Sequence, residues 1–252
     1  MTSCHPSPTP YSSGQVSEEH LKPLEDRSLY LQIVGALIYL ASITRPDIAW
    51  VVHLLSRKLS SPSVYHFQMA KRVLRYLKGS RLWSLKFTRN PDPSLSAYVD
   101  ADYGGDLDTR RSTTGYLVYH GCNLISWCSK LQEIVTQSTM EAEYVALSSV
   151  TKEIIWIRNL LDELGFPQTT PCRVKEDNQP CIKFSNDQGR FHRRSKHIDI
   201  RYHAAKEAVE NGQIVLEYCD TTNMLADLLT KSLPSPRFLS LASSLSAPKS
   251  GE

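Results

Sequence analysis

The spacing of apolar residues changes near residue 80, and no other feature of this sequence limits the fold as strongly. Between Pro62 and Gly79, apolar residues recur at intervals of three and four, which is typical of one face of an α-helix. From Trp83 to Phe87, and again from Leu95 to Val99, they recur at every second position, which is typical of half-buried strands. The sequence therefore predicts a helical front piece followed by a region that contains a β-sheet.

Capping and turn residues divide the rest of the chain into further elements. Ser138 stands three residues before Glu141, the spacing of a capping box, and predicts that a long helix begins at Thr139 and ends near Gly165. Strands and helices then alternate, which indicates an α/β fold. The predicted helices cover residues 28–42, 46–59, 62–79, 139–164, 197–211 and 223–233, with a short helix opening at Pro180, and the predicted strands cover residues 83–87, 95–99, 113–119, 124–128, 172–176 and 214–218.

The composition is near average for a folded globular protein. Of the 252 residues, 41% are hydrophobic and 22% are charged, so we do not expect wholesale disorder. The longest apolar run, residues 33–41, is too short to span a bilayer, so no membrane partner is expected. The polar, proline-rich start lacks the apolar core of a secretory signal, which predicts that the protein is not secreted. The six cysteines form no Cys-x-x-Cys pair, which favours free thiols over a zinc site.

Four acidic residues lie where predicted strands end or predicted helices begin, namely Asp100, Glu143, Asp177 and Asp227. Carboxylates at such positions offer the oxygen ligands that Mg²⁺ prefers, and two such ions can promote hydrolysis of a phosphodiester. The spacing alone does not separate this interpretation from ordinary roles in turns and helix starts, because the chain has 26 acidic residues. It also leaves the choice between Asp100 and Asp102, and between Glu141 and Glu143, undecided.

Ten short motifs follow one another along the chain: IVGALIYL at residues 33–40, TRPDI at 44–48, AKRVLRYLKG at 70–79, YVDADYGG at 98–105, RRSTTGY at 110–116, ISW at 125–127, STMEAEY at 138–144, DNQ at 177–179, KHIDI at 196–200 and ADLLTK at 226–231. In this order and at this spacing, they resemble the Pol polyprotein of copia-type LTR retrotransposons over residues 28–240. The last seven resemble its RNase H domain, and the first three resemble the C-terminal end of its reverse transcriptase.

This resemblance implies an RNase H-like fold, in which helices flank a mixed five-stranded sheet, with an N-terminal helical extension. It implies a disordered tail at residues 1–27, a helical remnant of the reverse transcriptase at 28–80, an RNase H-like domain at 81–233 and a flexible tail at 234–252. The chain has no Tyr-x-Asp-Asp motif, and its front piece is too short for the fingers and palm of a polymerase. We therefore expect no polymerase activity.

The resemblance also implies a site and a reaction. Asp100, Glu143, Asp177 and Asp227 match the catalytic residues of the family, which hold two Mg²⁺ ions, with Mn²⁺ as an alternative. Asp100 and Asp227 would hold one ion, and Asp100, Glu143 and Asp177 the other. The implied activity is hydrolysis of the RNA strand of RNA·DNA hybrids. The implied partner in the parent polyprotein is the fingers–palm region of the reverse transcriptase, and the implied location is the cytoplasm, within the virus-like particle of an intact element.

Two features depart from the family pattern. Many RNase H enzymes carry a mobile histidine shortly before the last aspartate, but residues 214–224 contain none, which leaves His197 or His203 as auxiliary candidates. Lys175 and Glu176 make the approach to Asp177 more charged than the usual apolar one. The alternative function is therefore a catalytically silent remnant of a pol gene that at most binds nucleic acid.

Two basic groups suit the phosphate backbone of a nucleic acid. A formal net charge of +3 is too small to indicate such a partner by itself, so the argument depends on where the charges lie. The alternative for each group is an ordinary solvated surface. The residues are Lys71, Arg75 and Lys78 on the third predicted helix, and Arg190, Arg193, Arg194 and Lys196 in the loop before the helix at 197–211.

Overall fold

A computed structural model of the chain describes residues 4–12, 17–89, 92–187 and 196–245. The chain divides into two compact units, one formed by Met1–Leu85 with Ser232–Ser243 and the other by Lys86–Lys231 with Ser244–Glu252. Within the described ranges, none of the helices combines the length and the apolar composition that a membrane crossing requires.

Seven α-helices and five strands lie in the described ranges, and most of them match the predicted elements to within a few residues. The helices are α1 (Ser28–Ile43), α2 (Ala49–Ser56), α3 (Val64–Gly79), α4 (Thr139–Glu163), α5 (Gln179–Asn186), α6 (Lys196–Glu210) and α7 (Ser235–Ser244); the strands are β1 (Leu95–Asp102), β2 (Thr113–His120), β3 (Asn123–Leu131), β4 (Cys172–Glu176) and β5 (Ile214–Tyr218).

The first unit has a core of its own. Tyr30 and Leu37 of α1 and Val73 of α3 are fully buried there. The unit also buries an ion pair, in which Arg45 Nη2 lies 2.7 Å from Asp47 Oδ2. Nearby aromatic and hydroxyl groups pack around this pair, so the cost of burying the two charges is offset by direct partners.

Two terminal segments that were expected to be loose carry structure. Residues 235–244 form α7, because Phe238 is buried and packs edge-on against Tyr76 with ring centroids 5.6 Å apart. In the front segment, the Ser7 N–H donates a hydrogen bond to the Arg75 carbonyl at 3.3 Å, and Glu18–Leu21 forms a 3₁₀ turn. The domain boundaries at residues 81 and 233 stay predictions.

Two of the predictions about secondary structure are wrong, one for a strand and one for a helix. Residues 83–87 form no strand, although their apolar residues alternate. The Arg45 guanidinium stacks over the Trp83 ring at 5.1 Å, and this contact partly covers that side chain without strand pairing. The predicted helix at residues 223–233 is replaced by two 3₁₀ turns, Thr221–Asn223 and Leu225–Leu229.

The second unit is built on one mixed sheet with the strand order β3-β2-β1-β4-β5. The pairs β1–β2 and β2–β3 are antiparallel, and the pairs β1–β4 and β4–β5 are parallel. Helix α4 packs on this sheet through buried residues that include Tyr144, Leu147 and Ile154. This arrangement confirms the expected RNase H-like fold, with five strands and flanking helices.

The parallel pairing of β1 with β4 determines where the site is built. Tyr98 of β1 lies opposite Lys175 of β4, so both strands end at the same edge of the sheet. Continuing that register by two residues brings Asp100 beside Asp177. Two acids that are 77 positions apart in sequence thus reach the same edge.

Candidate active site

Three carboxylates converge at this edge of the sheet. One oxygen each from Asp100, Glu143 and Asp177 lies within 4.8 Å of the other two. Asp100 comes from β1, Glu143 from the second turn of α4, and Asp177 directly follows β4. The first two are 2% and 6% exposed, whereas Asp177 is only half-buried, so the cluster opens to solvent on the Asp177 side.

Helix capping decides between Glu141 and Glu143, a choice that the spacing in the sequence left open. Ser138 Oγ accepts a hydrogen bond from the Glu141 N–H at 3.1 Å, and Glu141 Oε2 accepts one from the Gln137 N–H at 2.6 Å. Glu141 is therefore occupied at the start of α4. Glu143, two residues further, is the one that joins the cluster.

Asp227, the fourth predicted acid, is fully buried in the turn Leu225–Leu229. It is not part of the group of three, but it approaches Asp100 through Lys231. Lys231 Nζ lies 2.7 Å from Asp227 Oδ1 and 3.4 Å from Asp100 Oδ2. Thr230 Oγ1 also donates a hydrogen bond to Asp100 Oδ2. The segment that carries Asp227 thus contacts Asp100 through two of its other residues.

Lys231 is the last residue of the ADLLTK motif at residues 226–231, and the resemblance implies no role for it. Its signal was the spacing of four residues from Asp227, which places the two side chains on one side of a helical turn. Asp102, the other open alternative, lies two residues after Asp100 on the same face of β1 and is half-buried. Burial raises the pKa of Asp102, with Lys231 lowering it and Asp227 raising it, so Asp102 belongs to the surroundings of Lys231.

Burial dominates the electrostatics of the cluster. It raises the pKa of Asp100 to about 7; the charge of Lys231 opposes this shift, and Asp227 adds to it. The pKa of Glu143 is raised well above its usual range by burial and then by repulsion from Glu176. Burial alone would lower the pKa of Lys231, but attraction to Asp100 and Asp227 raises it overall. Protons therefore compete with a cation for the carboxyls of Asp100 and Glu143.

Glu176 is an acidic residue that sequence analysis noted without placing it in the site. It is fully buried at the end of β4, and its Oε1 accepts a hydrogen bond from the Asn178 N–H at 3.0 Å. Burial, and then repulsion from Asp177 and Asp100, raises the pKa of Glu176 well above its usual range. Its burial was not readable from sequence, because the groups close to its carboxyl, such as Glu143 of α4, come from elements distant in sequence.

The donor set fits a divalent cation. Among the described residues, Glu143 Oε2 is buried without a hydrogen-bond partner, although a buried charged oxygen normally has one. It belongs to a set of converging carboxylates, which are the ligands that Mg²⁺ and Mn²⁺ prefer. Asp100, Glu143 and Asp177 are therefore the residues placed to hold such an ion, with Asp227 on the other side of Asp100.

The predicted nucleic-acid contacts on α3 lie in the first unit. Lys71 is exposed, with its Nζ 4.1 Å from the centre of the Phe67 ring. Lys78 Nζ donates a hydrogen bond to the Cys4 carbonyl at 2.8 Å, and Arg75 is half-buried. The other basic candidates are not described by the structure: Arg190, Arg193 and Arg194 lie outside the described residues, and Lys196 and His197 begin α6, where only the backbone is described.

Comparison with known proteins places the chain in a family, although no family model matches it. It is 43% identical over 209 residues to the retrovirus-related Pol polyprotein from transposon TNT 1-94 of Nicotiana tabacum, a match that covers 83% of this chain and 16% of that protein. It is 39% identical over 246 residues to the corresponding polyprotein from transposon RE1 of Arabidopsis thaliana, which covers 97% of this chain and 17% of that protein.

A solved structure was also compared with the chain. RNase H1 from the halophilic archaeon Halobacterium salinarum NRC-1 aligns with 54% of this chain and 94% of its own, at 15% identity and a TM-score of 0.40. The chain spans only 16 to 17% of the length of the two Pol polyproteins. By its sequence similarity to them, it belongs to the family of Pol polyproteins of copia-type retrotransposons.

Proposed function

We propose that this chain is an RNase H that hydrolyses the RNA strand of RNA·DNA hybrids with the help of divalent cations. The observation that carries the proposal is the convergence of Asp100, Glu143 and Asp177, together with the buried Oε2 of Glu143, which has no hydrogen-bond partner. Membership in the Pol family supports the choice of substrate, because a reverse transcriptase produces such hybrids.

The residues of the site divide into ligands and positioning groups. Asp100, Glu143 and Asp177 would hold one Mg²⁺ or Mn²⁺ ion, and Asp100 with Asp227 would hold a second. Two ions so placed supply an activated water and stabilise the charge of the departing 3′-oxygen. Thr221 Oγ1 donates a hydrogen bond to Asp177 Oδ2 at 2.8 Å and so orients the most exposed of the ligands.

Asp177 is the most exposed of the three ligands, so we expect the substrate to approach the site from its side. Asp100 and Glu143 lie at the closed end of the cluster, so the scissile phosphate would arrive from the Asp177 side. Basic residues outside the site would contact the rest of the backbone, and Arg190, Arg193, Arg194 and Lys196 remain the predicted candidates. An A-form-like hybrid would be recognised by shape and 2′-hydroxyl groups rather than by base edges.

The cellular context follows from the same proposal. In the parent polyprotein, the chain would act beside the fingers–palm region of the reverse transcriptase, in the cytoplasmic virus-like particle of an intact element. The catalytically silent remnant remains the competing function, and Glu176 is the observation in its favour. On ionising, this buried acid would add negative charge beside the ligands, and no cation pairs with it among the described residues.

Cleavage of an end-labelled RNA·DNA hybrid tests the proposal. The purified chain should cut the RNA strand with Mg²⁺ or Mn²⁺ and not with EDTA. Asp100→Asn should abolish cutting, whereas Asp162→Asn, which changes an exposed acid on α4, should not. Circular dichroism should show that all three proteins are folded. A folded wild-type chain that binds the hybrid in a salt-dependent way without cutting it would support the silent remnant instead.

A further inference from the structure

We propose that the ammonium group of Lys231 occupies the place of the second cation in the metal-free protein, and that a divalent ion enters this place only by displacing Lys231. This inference rests on the proposed function and makes it more specific. It assigns to Lys231 the role of a positioning residue that makes the two cation positions of the site unequal.

The contacts of Lys231 are those of a cation held between two ligands. Its Nζ lies 2.7 Å from Asp227 Oδ1 and 3.4 Å from Asp100 Oδ2. Both carboxylates are almost completely buried, with exposed side-chain fractions of 1% and 3%. An ion held between these two oxygens would occupy the same space as the ammonium group, so the two cannot be bound there together.

The two sides of Asp100 differ in this respect. On one side, Glu143 and Asp177 form no ion pair with any described lysine or arginine, and Glu143 Oε2 has no partner there. On the other side, Asp227 is paired with Lys231. A divalent ion can therefore enter the first position directly, whereas entry to the second breaks an existing ion pair.

Displacement of Lys231 would expose more than two ligands. Asp102 follows Asp100 on the same face of β1, and its electrostatic partners are Lys231 and Asp227. Once the ammonium group leaves, Asp102 adds a third negative charge to the surroundings of Asp100 and Asp227. This gives an incoming hard cation the oxygen-rich environment that it requires.

Lys231 has room to leave. Its side chain is 34% exposed, in contrast to the two buried carboxylates that it contacts. Four rotatable methylene groups allow the ammonium to swing into solvent while the segment that carries Asp227 stays in place. The exchange thus requires a side-chain movement and no change of fold.

Binding of Mn²⁺ to the full chain, followed by electron paramagnetic resonance of the free ion, tests the proposal. Wild-type protein should bind one ion and should bind a second at least tenfold more weakly. Lys231→Met should strengthen binding of the second ion at least tenfold, and Lys231→Arg, which keeps the charge, should retain the wild-type pattern. Asp100→Asn should lose both ions.

A measurement on the wild type guards against misfolding of the Lys231→Met variant. Reductive methylation, read by mass spectrometry of peptides, reports whether each lysine is accessible. Lys231 should be protected without metal and with one ion, and it should become at least threefold more reactive once Mn²⁺ fills the second position. Lys130, whose side chain is 64% exposed, is the internal control and should react at a constant rate.

The outcomes separate this inference from the function on which it rests. If Lys231→Met binds the second ion no more tightly than wild type, or if the reactivity of Lys231 does not change with Mn²⁺, the displacement is refuted and the nuclease proposal stands. If wild type binds no Mn²⁺ that depends on Asp100, both are refuted.

Discussion

Gly115 lies directly opposite Asp100 in the antiparallel pair of β1 and β2, and it allows the segment that carries Asp227 to reach the site. A β-carbon at residue 115 would lie 2.6 Å from Thr230 Cγ2 and 2.8 Å from Leu229 Cβ. Both distances are shorter than packed carbon atoms tolerate. The absence of a side chain at one residue of β2 therefore lets Thr230 and Lys231 contact Asp100.

Gly115→Ala should accordingly loosen the site as well as the fold. We expect a loss of about 1 to 3 kcal/mol in the free energy of unfolding, the usual cost of overpacking a core, measured by urea denaturation. Cleavage of the hybrid should fall by more than tenfold in the fraction that remains folded. Gly35→Ala is the matched control, because nothing lies within 4 Å of the added carbon, and α1 should gain slightly from alanine. Equal effects of the two substitutions would contradict the packing argument.

The affinity of the site for metal should depend on pH around neutrality. Burial raises the pKa of Asp100 to about 7, and it shifts the pKa of Glu143 in the same direction. A divalent ion must replace these protons, so its affinity should rise with pH and level off above the pKa values of both groups. Below pH 7, the affinity for Mn²⁺, measured by calorimetry, should fall about tenfold or more per pH unit. An affinity that is constant between pH 6 and pH 8 would show that neither carboxyl is protonated in the metal-free protein.

Thr230 should tune that same dependence. Its hydroxyl donates a hydrogen bond to Asp100 Oδ2 and lowers the pKa of that carboxyl. Thr230→Val keeps the shape and removes the donor, so the affinity for Mn²⁺ at pH 7 should fall about tenfold, the effect of losing one hydrogen bond to a charged group. Thr230→Ser keeps the donor and should remain within a few-fold of wild type. If the valine variant binds Mn²⁺ as tightly as the serine variant and the wild type, the hydroxyl of Thr230 does not tune metal binding.

Local signals were sufficient for most of the fold. The capping residue Ser138 and the glycine at residue 165 predicted the two ends of α4 to within a residue or two, because capping involves only residues a few positions apart. Alternation predicted β1 to β5, but the same alternation at residues 83–87 produced no strand. Alternation predicts that every second side chain is covered by the core, but Phe87 is 66% exposed, and Trp83 is partly covered by Arg45 rather than by a neighbouring strand.

The site was less accessible to sequence reasoning than the fold. Motif resemblance selected the four acids, and three of them lie together in the structure. Lys231 and Thr230 were missed because their partner Asp100 lies about 130 positions earlier, and only the gap left by Gly115 brings them together. The 3₁₀ turn around Asp227 has the same origin: its conformation follows the surface of β2 rather than the helix propensity of its own residues.

Glu176 should destabilise the metal-free protein at high pH. Because burial raises its pKa in the folded state above the value of about 4.3 in the unfolded chain, the folded protein binds more protons between these two values. The free energy of unfolding therefore declines as pH rises through this window, and the decline is complete above the pKa of the folded state. Glu176→Gln removes this titration and keeps the shape, so it should stabilise the protein in EDTA by about 1 to 3 kcal/mol at pH 8 and by much less at pH 4.5.

Urea denaturation at several pH values measures this difference directly. Glu163→Gln, at the exposed end of α4, is the matched control and should change the stability by less than about 0.5 kcal/mol at every pH. If the stability curves of Glu176→Gln and wild type stay parallel from pH 4.5 to pH 8, Glu176 does not titrate on folding. If the stabilisation by Glu176→Gln disappears when saturating Mn²⁺ is added, a bound cation relieves the repulsion between Glu176 and the ligands. That result would show that Glu176 affects metal binding at the site.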